Sequence, residues 1–139
     1  MKIFTTLFLL FIGNFVFAQQ KVKVPFFGIR YFDLDKGASG SGTPIYYIDI
    51  KKNGNVCFGY EQENKADHSL NKEEINVGKY KSGTFKVQFK KLNINYYAKF
   101  DAKKIIQTDA SGKAIRSDDC CPIGEMAYVN CVCESELIK

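Results

Sequence analysis

The chain holds five cysteines, and four of them crowd into one stretch, "DDCCPIGEMAYVNCVCESELIK", as Cys120-Cys121 and Cys131-x-Cys133; the fifth is Cys57. Clustered sulfur serves three chemistries: disulfide bonding, thiolate metal binding and redox exchange. The spacing CC-x9-CxC is not the pair of CxxC motifs used by zinc ribbons and fingers. A soft metal such as Cu(I) tolerates it. The thioredoxin-type CxxC of redox enzymes is missing. For disulfides, geometry narrows the choices. A bridge between the neighbours Cys120 and Cys121 is strained, and Cys131 and Cys133 would stand parallel on one strand face, too far apart to bond. Bridges therefore join the first pair to the second, or join one of these four to Cys57. The nested pattern, Cys120–Cys133 with Cys121–Cys131, suits a hairpin. An odd count leaves one thiol over.

Other reactive side chains carry weaker signals. His68 is the single histidine, and its immediate neighbours Asp67 and Ser69 cannot form a catalytic triad with it. One histidine also excludes a histidine-rich zinc site. Asp33 and Asp35 resemble an acidic calcium loop, but the closing acid of that loop is absent. Asp118-Asp119 is a similar turn pair. Hydrolysis by two carboxylates needs a selected pair, and no spacing selects one. There is no glycine motif for phosphate and no strand–turn–helix unit to present it. No catalytic residue, cofactor or metal is therefore expected. Tyrosine is more suggestive: Tyr46, Tyr60 and Tyr96 fall on expected inner faces, where they either pack a core or line a ligand cavity.

The elements that position these residues are strands. Alternation of period two runs through "TFKVQFKK", with Phe85, Val87 and Phe89 on one face. It recurs in "INYYAKF", with Ile94, Tyr96, Ala98 and Phe100 together. Further strands are expected at 104–108 and 113–116. The segment "VPFFGIRYF" is apolar on both faces and reads as a central strand. The stretch "PIYYIDIKKNGNVCFGYEQ" reads as a hairpin. A three-residue loop, Lys52-Asn53-Gly54, pairs Ile50 with Val56, Ile48 with Phe58 and Tyr46 with Tyr60. This register turns Cys57 to the opposite face, beside Asp49. One short helix is expected in "DHSLNKEEINVG", capped by Asn71 with Glu74 and stopped by Gly78. The fold class is all-β: a single antiparallel β-barrel or β-sandwich domain with at most one short helix and a disulfide-stapled C-terminus.

The first residues, "MKIFTTLFLLFIGNFVFAQQ", have the form of a secretory signal peptide. A lysine precedes an apolar run, and Val16-Phe17-Ala18 supplies small residues at the cleavage site. Residues 1–18 are read as the leader and 19–139 as one β-rich domain. No cysteine stands near the cut to carry a lipid, and no later apolar stretch reaches the ~20 residues of a membrane span. The leader is of bacterial type, so the expected location is periplasmic or secreted. Such surroundings are oxidising and favour disulfides. The formal net charge of +5 is carried by lysines scattered singly among acids, without the clustered basic module that nucleic-acid binding needs. Together these features imply an exported, non-enzymatic binding or envelope protein with a small-molecule or protein partner. The alternatives are a thiol or soft-metal protein built on the C-terminal cysteines and a carboxylate-based hydrolase.

Overall fold

The computed structural model describes residues 22–33, 42–116 and 133–139. Eight strands form among them, and no helix. They are β1 (Gly28–Phe32), β2 (Ile45–Ile50), β3 (Asn55–Glu63), β4 (Leu70–Lys79), β5 (Phe85–Phe89), β6 (Ile94–Phe100), β7 (Lys104–Thr108) and β8 (Glu134–Glu136). Two antiparallel four-stranded sheets result, in the orders β1-β2-β3-β4 and β5-β6-β7-β8. No ladder joins β4 to β5, so the strands do not close into a barrel. At the other side the tail makes a stitch. Tyr31 and Ile138 exchange both backbone hydrogen bonds, at 2.8 and 2.9 Å, and so tie β1 to the residues after β8.

Side-chain alternation decides which faces meet. Tyr46, Ile48, Ile50, Val56, Phe58 and Tyr60 point inward from the first sheet. Phe85, Val87, Phe89, Tyr96, Ala98, Phe100 and Ile105 answer them from the second. The core is heavily aromatic. Phe58 stands edge-on to Tyr96 and Phe100, and the Phe85 and Phe100 rings stack at 5.5 Å. Such pairs add about 0.5–1.5 kcal/mol each to the burial of their area.

The β2–β3 hairpin has the register that apolar matching requires: Ile50 faces Val56, Ile48 faces Phe58 and Tyr46 faces Tyr60. Its loop is closed by the Lys51 N–H donating to the Asn55 carbonyl, and Gly54 takes φ +82°. Only a residue without a Cβ adopts that conformation cheaply.

Three expectations are corrected. The segment expected as a helix, from Asn71 to Gly78, lies in β4, where Asn71, Glu73, Ile75 and Val77 alternate half-buried with exposed neighbours. Pairing with β3 along its whole length outweighs the local capping pattern. The apolar segment around 24–32 forms an edge strand rather than a central one, and Phe27, Ile29 and Tyr31 stay exposed. Among the described residues its second apolar face meets no second sheet. A strand at 113–116 reduces to an isolated bridge between Thr108 and Ala114. The disulfide staple lacks support, since Cys120, Cys121 and Cys131 lie outside the described residues. So do Asp35, Asp118 and Asp119.

Candidate functional site

The outward face of the first sheet carries a polar cluster built by period-two spacing. Tyr47 and Asp49 follow one another on that face of β2, and Lys51 continues the alternation just past its end. Cys57 sits opposite Asp49 on β3, and Asn76 lies beyond it on β4. Tyr47 is opposite Gly59, which in turn pairs with Glu74. A side chain at position 59 would collide with the Tyr47 ring, so glycine lets the ring lie flat across the sheet. From there the Tyr47 hydroxyl donates to Glu74 Oε2 at 3.0 Å. Lys51 Nζ bridges the two acids, bonding Asp49 and reaching Glu74 Oε1 at 3.3 Å.

The electrostatics of this cluster suit structure rather than reaction. Burial pushes the Cys57 thiol up from its ordinary value, and the Glu74 charge pushes it further. A protonated, buried thiol is a poor nucleophile. Burial, then the bond to Glu74, likewise raises the Tyr47 phenol. The hydrogen bond to Asp49 holds Lys51 charged. Asp49 is buried and Glu74 is more exposed, and the two share one ammonium. No group of three or more side chains able to hold a metal is gathered among the described residues.

The residues singled out by sequence separate into different places. Cys57 is a free thiol, 5% exposed. Cys133 is buried beside β7, its N–H donating to the Ile115 carbonyl and its carbonyl accepting from the Gln107 N–H. His68 is exposed in the turn between β3 and β4, its Nδ1 2.6 Å from Glu63 Oε1. Asp33 follows β1 and its N–H donates to Ser135 Oγ. Tyr46, Tyr60 and Tyr96 come together around Phe89, all three packed in the core rather than around an open mouth. The hydroxyl of Tyr96 is buried without a hydrogen-bond partner.

A second feature was not read from the sequence. Between β4 and β5 runs a groove of about 740 Å³, lined by both strands from Glu73 to Val77 and from Phe85 to Lys90. Side chains close one end of it. Glu73 accepts from the N–H groups of Lys90 and Lys91 at 3.2 and 3.1 Å, and Lys91 Nζ donates to the Lys72 carbonyl at 3.0 Å. The signal available in the sequence was the alternation of Asn71, Glu73, Ile75 and Val77, which marks a strand.

No known protein family, curated protein or solved structure matches this chain. No helix among the described residues is long and apolar enough to cross a membrane.

Proposed function

We propose that this is an exported, non-enzymatic binding protein that engages a protein partner through the free edge of its first sheet. One observation carries the reading: β4 is a ten-residue strand with β3 on one side and, among the described residues, no strand hydrogen-bonded on the other. Long unpaired edges invite pairing with another chain, and proteins that do not use them blunt them. Packing of Tyr46, Tyr60 and Tyr96 into the core favours a protein partner over a small molecule held inside. The architecture is read as a sandwich left open along one seam. The test is hydrogen exchange at β4 in the presence of extended peptides about as long as that strand. Protection of its outward amides supports the reading. A diverse peptide panel that leaves every β4 amide unprotected refutes it.

Export and the disulfide staple belong to the same proposal. Support for export is the apolar leader ending at Ala18. The staple rests on the oxidising surroundings that export would provide, with Cys57 left as the free thiol. Exported protein should begin at Gln19 by mass spectrometry and show one reactive thiol per chain in denaturant. An unprocessed chain refutes export, and five thiols refute the staple.

A further inference from the structure

The direction of each backbone group at the seam follows from the turns. In a strand the N–H and C=O of one residue point to the same side, and successive residues alternate. Gly54 accepts from the Tyr80 N–H and the Asn64 N–H donates to the Ser69 carbonyl, so the even-numbered residues of β3 face β4. Their partners Asn71, Glu73 and Ile75 then face back. That leaves Lys72, Glu74 and Asn76 pointing away, and the bond from Lys91 Nζ to the Lys72 carbonyl agrees. In the second sheet the Asp101 N–H donates to the Lys104 carbonyl, so the odd-numbered residues of β6 face β7. Its even-numbered residues hold Phe85, Val87 and Phe89 of β5. Lys86, Gln88 and Lys90 therefore point into the seam, and the bond from the Lys90 N–H to Glu73 agrees. Glu74 and Asn76 on one bank, with Lys86 and Gln88 on the other, offer their backbone donors and acceptors to the same groove, and all four line it.

Ile75, Val77 and Phe85 give the groove an apolar floor. Its charges are unequal. Glu74 is engaged by Tyr47 and Lys51, and Glu73 by the two amides at the closed end. Among the described residues Lys81, Lys86 and Lys90 pair with no carboxylate, and Lys81 lies 5.3 Å from the Phe85 ring centre. We infer that the seam between β4 and β5 is a binding slot for an extended segment of another protein, with apolar residues alternating with acidic ones. The proposal rests on the edge-docking reading above and deepens it. The segment adds to the exposed backbone edges. Its apolar side chains face Ile75, Val77 and Phe85, and its acids face the three lysines.

The test uses the full exported chain with two synthetic decapeptides, one alternating valine and glutamate, the other valine and lysine. Hydrogen exchange read by NMR follows the amides of Glu74, Asn76, Lys86 and Gln88. The valine–glutamate peptide is expected to protect amides on both banks and to bind at least tenfold more tightly than the valine–lysine peptide. The double variant Lys86→Glu, Lys90→Glu changes two exposed side chains and should reverse that preference while the core amides of β3 stay protected. Protection confined to β4 and equal for the two peptides would overturn the seam and its acidic preference, yet leave edge docking standing. No protection on either strand would overturn both. Protection that rises with protein concentration, without peptide, would assign the slot to a second copy of the chain and overturn the proposal.

Discussion

Replacing Tyr96 by phenylalanine removes one oxygen atom from the middle of the core, and the structure fixes what should follow. Tyr96 is 5% exposed, and its hydroxyl is buried with no hydrogen-bond partner. Burial holds the phenol well above its ordinary range, so the group stays neutral throughout the working pH range. A buried polar group left unsatisfied costs about 1–3 kcal/mol, and the ring itself packs equally well without it. Tyr96→Phe should therefore stabilise the protein by about 1–2 kcal/mol. For a domain of this size that is an increase in Tm of roughly 3–8 °C. Thermal and urea unfolding of parent and variant, with the denaturant slope unchanged, measure the difference. A loss of about 1 kcal/mol or more would refute the reasoning. It would mean that an acceptor such as an interior water satisfies this hydroxyl.

Gly59→Ala should destabilise by about 1–3 kcal/mol, because the new methyl group meets the Tyr47 ring, which is held in place by Glu74. A variant as stable as the parent in urea would show that the ring moves aside freely. Acid stability should depend on the turn carboxylates. Backbone N–H donation, from Lys103 and Lys104, holds Asp101 below the ordinary carboxyl range, and bonds from Ser111 and Lys113 do the same for Asp109. Their contribution is present above the unfolded value of about 3.9 and is lost as pH falls through the lower folded value. Asp101→Asn and Asp109→Asn should each flatten the decline of Tm below about pH 4, and an unchanged slope in both would remove the argument. In the native state Cys57 should resist alkylation at pH 8 and react once unfolded, since it is buried and its thiol is raised; rapid native labelling would contradict that placement.

Local pattern made some of this molecule readable and left other parts hidden. The β2–β3 register was legible because three apolar pairs match in only one alignment, and the placement of Cys57 beside Asp49 followed from it. The inward direction of Tyr46, Tyr60 and Tyr96 was legible for the same reason. Whether they line a cavity depends on how closely two sheets approach, which no single strand encodes. β4 was misread because Asn71 and Glu74 have the spacing of a helix cap, whereas the force that extends the segment is the distant edge of β3. With Glu74 assigned to a helix, its meeting with Tyr47, Lys51 and Cys57 could not be foreseen. The seam was hidden for a related reason. It exists because two consecutive strands fail to pair, and a sequence records the strands but not the missing ladder.

The bridge between Tyr31 and Ile138 sets an order of events in folding. β2 to β4 and β5 to β7 are successive hairpins that can form from near neighbours as the chain emerges. The contact of the tail with β1 joins distant positions, as does the Asp33–Ser135 bond across 102 residues. Long loops close at an entropic cost that local pairs avoid, and such contacts come late. Until the last residues arrive, the outer edge of β1 stays bare, with Phe27, Ile29 and Tyr31 beside it. This interval is when a chaperone would have an edge strand to hold.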